Sequence, residues 1–352
     1  MTPLRILGET AYPATVASAR VRIANFAPYL APHGVVLAHR PALTVADYAL
    51  LQSAAAPARK AAALAWSGAR AALRRRPAHD LLLIHRLRLM APLPGFDPPG
   101  ELDVYDLDDA LFLGSAAAVN RRFAWAKQEA RRCVACLRRA RLVLAGNAFL
   151  ADEARRYAPR VEIVPSCVAP EHQPLHEHGD REVLTIGWMG SQSTSDYLAP
   201  VLPVLARLNA SAIRFRLVVV GATLDVREPW IEQRPWSEQT QAADLASFDV
   251  GIMPLRDSPW ARGKCGYKLL QYFAAGVPAI ASRVGVNGAL VGADRGLLAD
   301  SAVEWERAFE QLAADAGERR ERGAAARAFA ERDFSYGRWA PDLAGMLQSV
   351  AR

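Results

Sequence analysis

The chain has 352 residues, of which 51% are hydrophobic and 22% charged, so it is neither a fibrous nor an intrinsically disordered protein. Because one hydrophobic core rarely grows beyond about 250–300 residues, this length predicts two domains. The formal net charge of +7 comes without a nucleic-acid motif or aromatic residues interleaved with the basic ones, which argues against nucleic-acid binding. It is compatible with anionic small molecules and with peripheral association to acidic lipid headgroups.

The N-terminal residues 1–8 lead directly into a strand-like run and contain no long apolar segment. Neither a secretory signal nor a membrane span is predicted, so a cytoplasmic location is expected. The cysteines are too few and too scattered for a disulfide framework: Cys133, Cys136, Cys167 and Cys265. The first two form a C-x-x-C inside the helix-like stretch 119–139, where helix packing is a simpler interpretation than redox or zinc chemistry.

The first half of the chain alternates short apolar strands with long alanine-rich helical stretches, which is a βαβ pattern. The predicted strands are 5–8, 35–38, 81–85, 102–106 and 142–145. Continuous apolar runs such as 81–84 suit a parallel sheet that is covered on both faces by helices. We therefore expect a doubly wound α/β domain, similar to the Rossmann fold, over residues 1–170.

A second series of predicted strands repeats this architecture without repeating the sequence: 184–188, 216–220, 248–253, 279–281 and 296–298. We expect a second Rossmann-like domain over residues 183–334. The intervening residues 171–182 are rich in Pro, His, Glu and Asp, which predicts a solvated linker. His172, His176 and His178 in this linker are candidate metal ligands, but without cysteine partners or a scaffold we predict no metal site.

A glycine- and hydroxyl-rich turn, Gly190-Ser191-Gln192-Ser193-Thr194, follows the first strand of the second series. We expect it to open a helix over 197–208. Such a turn brings unpaired backbone N–H groups to the positive end of a helix dipole, which suits a phosphate. Ordinary helix capping explains the same residues about as well, and the pattern is neither a Walker loop nor G-x-G-x-x-G.

Two lysines, Lys264 and Lys268, lie around a short helix that is predicted from Tyr267 to Ala275. They are four residues apart, so both project to one side if the helix has begun by Lys264. Placed across from a helix N-terminus, two such cations would clamp a diphosphate without Mg²⁺. The alternative is a pair of solvated lysines, but their position after a strand's carboxyl end favours the clamp.

The stretch from Asp249 to Val291 resembles the donor-binding signature of glycosyltransferase family 4, and in particular a bacterial subgroup. The matching residues are Asp249, Gly251, Ile252, Pro254, Leu255, Trp260, Gly263, Lys264, Cys265, Gly266, Lys268, Gln271, Tyr272, Ala274, Gly276, Pro278, Ser282 and Val284 to Asn287. Segments 186–194, 235–237 and 105–112 also resemble this subgroup, so the likeness spans most of the chain and is strongest after residue 185.

The resemblance implies a GT-B fold, in which two Rossmann-like domains face a cleft, and transfer of a sugar from a nucleoside diphosphate sugar to an acceptor hydroxyl. Retention of anomeric configuration and the absence of a metal or other cofactor are implied in the same way. The acceptor, whether glycan, glycolipid, peptide or small molecule, is not predicted. Two alternatives are a nucleotide-sugar epimerase or hydrolase on the same fold and a non-catalytic nucleotide-sugar-binding scaffold.

The sequence departs from the family at positions that contact the donor. The family's pair of glutamates is replaced by Gly263 and Gln271, and an arginine is replaced by Trp188. The amide of Gln271 can still bond a ribose hydroxyl, whereas Gly263 has no side chain to offer a sugar. The identity of the donor sugar is therefore not predicted, and the missing pair slightly favours the scaffold alternative.

The resemblance also implies roles for individual residues. Lys264 and Lys268 would hold the leaving diphosphate, and Asp108 in the acidic turn 106–109 would lie near the donor sugar, with helix capping as the alternative. The predicted donor-binding residues are Gly190, Ser191, Gln192, Ser193, Thr194, Trp236, Gly266 and Gln271, and Trp236 either stacks on the base or fills the core. Arg20, Arg22 and His85 are placed on the acceptor or phosphate side, but a solvated helix face explains the two arginines about as well, and polar residues such as His85 are common at strand ends. Helix 335–352 is expected to return to the N-terminal domain.

Overall fold

The structure, a computed structural model, describes residues 2–92, 100, 102–114, 128–211 and 214–352. Packing divides the chain into two compact units. The first comprises Met1–Ser166, Gly263–Cys265 and Tyr336–Arg352, and the second comprises Cys167–Arg262 and Gly266–Ser335. Three residues from the middle of the predicted donor signature thus belong to the first unit. The predicted helix stretch 119–139 lies partly outside the described residues.

The first unit is built on a parallel sheet with the strand order β2-β1-β3-β4-β5-β6. Its strands are β1 (Leu4–Thr10), β2 (Val35–Pro41), β3 (Leu81–His85), β4 (Val104–Leu107), β5 (Leu142–Ala145) and β6 (Val161–Ile163). The described α-helices of this unit are Ala17–Ala19, Phe26–Leu30, Val45–Gln52, Pro57–Leu73, Glu129–Arg139, Ala148–Ala154 and Tyr336–Ala351. A π-helical turn spans Arg20–Ala24, and 3₁₀ turns span Ala31–His33 and Leu111–Leu113.

The second unit is built on another parallel sheet, with the strand order β12-β11-β10-β7-β8-β9. Its strands are β7 (Val183–Met189), β8 (Arg214–Val220), β9 (Ile231–Arg234), β10 (Val250–Met253), β11 (Ala279–Ala281) and β12 (Gly296–Leu298). The described α-helices are Leu202–Asn209, Gln241–Ala246, Pro259–Arg262, Tyr267–Ala274, Asn287–Val291, Ala302–Ala314 and Ala316–Phe334, with 3₁₀ turns at Pro170–His172 and Gln192–Leu198. Counted from β7, this is the strand order of the Rossmann fold.

The predicted fold class, two doubly wound α/β domains, is confirmed. The apolar strands β3, β5 and β10 are buried along their whole length, because helices cover both faces of each sheet. Two strands were not predicted, β6 and β9, and both lie at a sheet edge. Strand β9, with the sequence IEQR, is only half-buried throughout, so it lacks the apolar run that marks an inner strand.

The expected helix over 197–208 is wrong. A 3₁₀ turn covers Gln192–Leu198, and the α-helix starts only at Leu202. Pro200 lies between them. Because proline lacks an N–H and cannot donate a helical hydrogen bond, the two segments do not join into one regular helix.

The expectation of a solvated linker is wrong for His176 and His178, whereas Glu177 between them is exposed. His176 is buried, with Nδ1 2.7 Å from the carbonyl oxygen of Ala246 and Nε2 3.0 Å from Oδ1 of Asp249. Each ring nitrogen of His176 therefore lies within hydrogen-bond distance of an acceptor oxygen. Nε2 of His178 donates to the carbonyl of Gly276 at 2.8 Å.

These contacts bring His176, His178 and Asp249 close enough together to hold a metal ion, whereas His172 is exposed and outside the group. Asp249 already accepts a hydrogen bond from the backbone N–H of Thr185 at 2.8 Å. The three side chains are therefore engaged by each other and by the main chain. These hydrogen bonds hold His176 and His178 against the rest of the second unit.

The C-x-x-C cysteines lie in helix Glu129–Arg139 and are fully buried. Burial raises the pKa of Cys133 to about 12 and that of Cys136 to about 12. Protonated thiols are poor nucleophiles and poor metal ligands, in keeping with helix packing. Among the described residues, no helix combines the length and the apolar character that crossing a membrane requires.

Candidate functional site

The strand order of the second unit reverses between β7 and β10, which are hydrogen-bonded neighbours. In open parallel sheets, ligands bind outside the carboxyl ends of the strands at such a switch point. Here those ends are Met189, followed by the Gly190 turn, and Met253. The predicted donor-binding residues of this unit can be located relative to this edge.

Gly190 and Lys268 meet at the carboxyl end of β7. A Cβ atom on Gly190 would lie 2.5 Å from Nζ of Lys268 and 2.5 Å from the ring of Trp188, so a larger residue would displace one of them. Nζ of Lys268 is 4.8 Å from the ring centroid of Trp188, within range of a cation–π interaction. Because Trp188 is buried, its ring holds the ammonium group beside the backbone of the turn.

The polar side chains of the turn are partly engaged within the protein. The hydroxyl of Thr194 donates to the carbonyl of Ser191 at 3.0 Å, and the hydroxyls of Ser191 and Ser193 are 2.9 Å apart. The amide of Gln192 bonds both backbone groups of Thr223, at 2.9 and 3.0 Å. Ser191 and Ser193 are exposed, so their hydroxyls can reach a ligand.

Gln271 and Trp236 lie near the same edge. Nε2 of the buried Gln271 has Sδ of Met189 as a partner at 3.9 Å, and because thioether sulfur is a weak acceptor, the amide keeps bonding capacity. The indole N–H of Trp236 donates to Oε1 of Gln241 at 3.0 Å, and its ring packs against the core. Core packing is therefore observed for Trp236, while base stacking stays a prediction.

Gly266 is required by backbone geometry. It has φ 67° at the N-cap of helix Tyr267–Ala274, and a Cβ there would overlap the side chain of Leu290. The helix thus begins after Lys264, and the argument that placed Lys264 and Lys268 on one helical face is wrong. Lys264 belongs to the first unit, whereas Lys268 lies on the helix in the second.

In the first unit, Asp106 joins two predicted residues at the carboxyl edge of the sheet. Nε of Arg22 donates to Asp106 Oδ2 at 3.1 Å, and Nδ1 of His85 is 2.6 Å from the same oxygen. The side chains of Arg22 and Asp106 are only 1% and 4% exposed. Burial acts to raise the pKa of Asp106, but the charge of Arg22 and the bond from His85 outweigh it and lower that pKa.

The second ring nitrogen of His85, Nε2, is the atom of this cluster that can bind a ligand. Nε2 is buried and has no hydrogen-bond partner among the described residues, and it lies 3.8 Å from Oδ1 of Asp108. Because Nδ1 is engaged by Asp106, Nε2 is the ring nitrogen that can hydrogen-bond a ligand.

Arg86 links the other two carboxylates of the acidic turn. Its guanidinium bonds Asp108 through Nε and Asp109 through Nη2, the latter at 2.9 Å, and Nζ of Lys264 bonds Asp109 at 2.8 Å. Arg86 has φ 57°, a left-handed conformation that costs a non-glycine residue about 1–3 kcal/mol. Its carbonyl accepts a bond from the hydroxyl of Tyr105 at 2.7 Å, which helps to hold this conformation.

Asn147 was not identified from the sequence, although it organises the segment around Lys264. Its Nδ2 donates to the carbonyls of Gly263 at 3.2 Å and Lys264 at 3.1 Å. Its Oδ1 caps helix Ala148–Ala154 by accepting from the N–H of Leu150 at 2.8 Å. An asparagine between a strand and a helix signals the cap, but nothing local signals its partners 116 and 117 residues away.

The structure therefore joins Arg22, His85, Asp108 and Lys264 in one cluster of the first unit. Arg20 is also buried in this unit, where its Nη1 bonds the carbonyls of Ala14 and Thr15, each at 3.3 Å. In the second unit the structure brings together Gly190, Lys268 and Trp188. These are two separate polar sites, each at the carboxyl edge of its own sheet.

Comparisons with known proteins agree with this architecture. Residues 180–315 match the family model described as "Glycosyl transferases group 1". No curated protein sequence matches the chain. Among solved structures, a sucrose-phosphate synthase from Thermosynechococcus elongatus is similar, with 13% identity, a TM-score of 0.71 and 99% of each chain covered.

Two further solved structures have the same fold. WaaG, a glycosyltransferase involved in lipopolysaccharide biosynthesis, shares 14% identity with a TM-score of 0.62, over 98% of this chain and 99% of WaaG. HepE of Anabaena, solved in complex with UDP and glucose, shares 14% identity with a TM-score of 0.64, over 99% of this chain and 100% of HepE. At such identities the likeness establishes the fold.

Proposed function

We propose that this chain is a glycosyltransferase, because residues 180–315 match a group 1 glycosyl transferase model and the whole chain has the GT-B fold of solved glycosyltransferases. It moves a sugar from a nucleoside diphosphate sugar to an acceptor hydroxyl, retains the anomeric configuration and uses no metal ion. The second unit takes the donor, and the first unit takes the acceptor.

The observation that carries the proposal is the contact between Lys268 and Gly190 at the switch point of the second sheet. The ammonium group lies against a turn with exposed hydroxyls, which suits a diphosphate. As the glycosidic bond breaks, negative charge grows on the leaving diphosphate. A cation already held by Trp188 stabilises that charge without reorganisation, and this lowers the barrier.

The same contact supports metal independence. In many sugar-transfer and phosphoryl-transfer sites a divalent cation neutralises the diphosphate, and Lys268 provides a positive charge in that position. HepE, solved with UDP and glucose, suggests a nucleoside diphosphate as the donor's leaving group. The amide of Gln271 lies at the end of β7 and makes only a weak bond to the sulfur of Met189, so it is proposed to bind a ribose hydroxyl.

The cluster of the first unit is proposed to position the acceptor. The side chain of Asp108 is 10% exposed, and although desolvation acts to raise its pKa, the guanidinium of Arg86 and the neighbouring His85 lower it, so the group is anionic at neutral pH. An anionic carboxylate can orient an acceptor hydroxyl or stabilise an oxocarbenium-like transition state. Lys264 stays a predicted phosphate contact, and its salt bridge to Asp109 would have to be exchanged for that role.

The test is catalytic. The EDTA-treated chain is incubated with a panel of sugar nucleotides and mixed acceptors, and release of nucleoside diphosphate is measured with the anomeric coupling constant of the product. Lys268→Ala is expected to lower turnover at saturating donor by about 10²-fold, and the matched variant Lys60→Ala, in helix Pro57–Leu73 of the first unit, is expected to leave it unchanged.

Three outcomes would count against the proposal. Turnover that requires added Mg²⁺ would contradict metal independence, and an inverted product would contradict retention. Release or isomerisation of sugar at the same rate with and without acceptors would favour the hydrolase or epimerase alternative.

A further inference from the structure

A small surface cavity in the first unit is used by none of the roles assigned above. It is open to solvent and lies at the carboxyl ends of β1 and β2, with Glu9, Arg40, Arg70, Arg74 and Arg88 in its lining. Its enclosed volume is only about 10 Å³, whereas sites for whole small molecules are typically ~300–1,000 Å³. This cavity can therefore contact one functional group of a larger ligand but cannot enclose the whole molecule.

The cavity carries more positive than negative charge. Glu9, which is 3% exposed, lies 2.7 Å from Nε of Arg88, 3.2 Å from Nη2 of Arg76 and 3.8 Å from Nη1 of Arg40. One carboxylate thus faces three guanidinium groups. Asp47 pairs with Arg70 at 2.6 Å, so its charge is already matched. Crowded cations of this kind repel one another unless an anion joins them.

Arg40, in the lining of this cavity, has an N–H donor without a hydrogen-bond acceptor among the described residues. Its Nη2 donates to the carbonyl of Arg74 at 2.7 Å, whereas its buried Nη1 makes no hydrogen bond within the described part of the chain. Burial lowers the pKa of Arg40, and repulsion from Arg74 and Arg88 adds to this against the opposing charge of Glu9. A bound anion would satisfy Nη1 and offset the repulsion.

The donors are held in place before any ligand arrives. Nη2 of Arg88 donates to the carbonyl of Ala71 at 3.0 Å, and Arg40 bonds the carbonyl of Arg74, so the end of helix Pro57–Leu73 fixes both guanidiniums. Planar guanidiniums bind phosphate oxygens through paired N–H groups, and fixed donors lose little entropy on binding.

The cavity adjoins the proposed acceptor cluster. Thr10, another lining residue, is the register partner of His85 between β1 and β3, and of Pro41 between β1 and β2. The strand order of the first unit reverses between β1 and β3, so the cavity lies beside that unit's own switch point.

We propose that this cavity binds a phosphate group carried by the acceptor, so that the acceptor of the enzyme is a phosphorylated molecule. The inference rests on the proposed function for its assignment to the acceptor. A phosphate is favoured over a carboxylate because the surplus of guanidiniums exceeds one charge and because a tetrahedral dianion can bond more than one of them.

Calorimetric titration of the full chain with inorganic phosphate, at constant ionic strength in a phosphate-free buffer, tests the site. Arg40→Met is expected to raise the phosphate Kd by about tenfold or more, while Arg155→Met, which removes an exposed arginine of the same unit, leaves it unchanged. Arg74→Met, at an exposed position, serves as a second variant that retains the buried contacts of Glu9 and is expected to weaken phosphate binding in the same direction.

Further arms separate this site from the donor site. Phosphate binding should persist in Lys268→Ala and in protein saturated with whichever nucleoside diphosphate binds. Binding that is lost in Lys268→Ala and kept in Arg40→Met and Arg74→Met would overturn the inference, as would acetate binding as tight as phosphate. If no nucleoside diphosphate binds but the arginine variants still weaken phosphate binding, the proposed donor chemistry fails while the anion site stands.

Discussion

Asp106 is the residue on which the polar cluster of the first unit depends. It bonds both Arg22 and His85, and the ion pair with Arg22 is almost completely removed from solvent. Removing one partner of a buried pair leaves an uncompensated charge, which is costly. Asp80 and Arg5 form an ion pair in the same unit with side chains 37% and 49% exposed, and such pairs contribute little.

We predict that Asp106→Asn lowers the free energy of unfolding by about 3–5 kcal/mol, whereas Asp80→Asn lowers it by no more than ~1 kcal/mol. Urea unfolding of both variants and the wild type measures the difference. Equal effects of the two substitutions would show that the Asp106 cluster is not the tightly coupled, water-excluded group that the structure describes.

A second residue-scale prediction concerns acid stability. Burial lowers the pKa of His178 from its ordinary value of 6.5 to about 4, so the folded state favours the neutral ring. The stability contributed by neutral His178 is fully present above pH 6.5 and is lost as the pH falls from 6.5 towards 4, because the unfolded chain binds the proton more readily. His178→Gln should therefore flatten the dependence of Tm on pH in this window.

His39 provides the internal comparison for that experiment. Burial also lowers its pKa to about 4, and it belongs to the first unit, so it contributes the same acid sensitivity in wild type and variant. Scanning calorimetry between pH 4 and 7 on both proteins is the measurement. Parallel curves would mean that His178 is solvated in the folded state.

Single residues were predictable only where their role is local. The hydroxyl-rich turn at Gly190 follows from neighbouring sequence, whereas the positive φ of Gly266 was seen only in the structure. The common partner of Arg22 and His85 does not, because Asp106 is brought to them by the order of strands β1, β3 and β4. The pairing of Lys264 with Asp109 spans 155 residues and was missed for the same reason.

At the scale of elements, the packing of β7 depends on a glycine. A Cβ atom on Gly187 would overlap the ring of Phe248, which is completely buried in the core of the second unit. The strand therefore lies closer to Phe248 than any larger residue would allow. Gly345, in helix Tyr336–Ala351, has no neighbouring atom within 4 Å of such a Cβ.

We expect Gly187→Ala to destabilise the protein by about 1–3 kcal/mol through overpacking, and Gly345→Ala to stabilise it by about 0.5–1 kcal/mol because alanine is the better helix former. Thermal unfolding of the two variants reports effects of opposite sign. Tolerance of Gly187→Ala at wild-type Tm would imply that β7 and Phe248 are further apart than described.

The sequence located the inner strands, but it missed two of the four edge strands. Inner strands such as β3 and β5 were located to the residue, because both faces are apolar. The edge strands β6 and β9 lack that pattern and were missed. The helix expected over 197–208 starts later than predicted for a different reason. The apolar periodicity of the sequence continues across Pro200, but a proline cannot donate the helical hydrogen bond at that position.

At the scale of the whole molecule, the sequence predicted two Rossmann-like domains because the βαβ rhythm occurs twice. It did not predict that Gly263–Cys265 would belong to the first unit. Such an assignment depends on three-dimensional packing, here on Asn147 bonding the carbonyls of Gly263 and Lys264. The likeness to GT-B enzymes over the full chain at 13–14% identity shows that the fold tolerates nearly complete change of sequence.

The donor site of the second unit is the central claim of this account. It is tested most directly by thermal shift of the EDTA-treated chain with UDP, GDP, ADP, CDP and dTDP, in parallel with Lys268→Ala. We predict that one diphosphate raises Tm without metal, and that Lys268→Ala reduces this shift while keeping the Tm of the unliganded protein. Stabilisation that needs a metal, or that Lys268→Ala leaves intact, would contradict the site at Gly190 and Lys268.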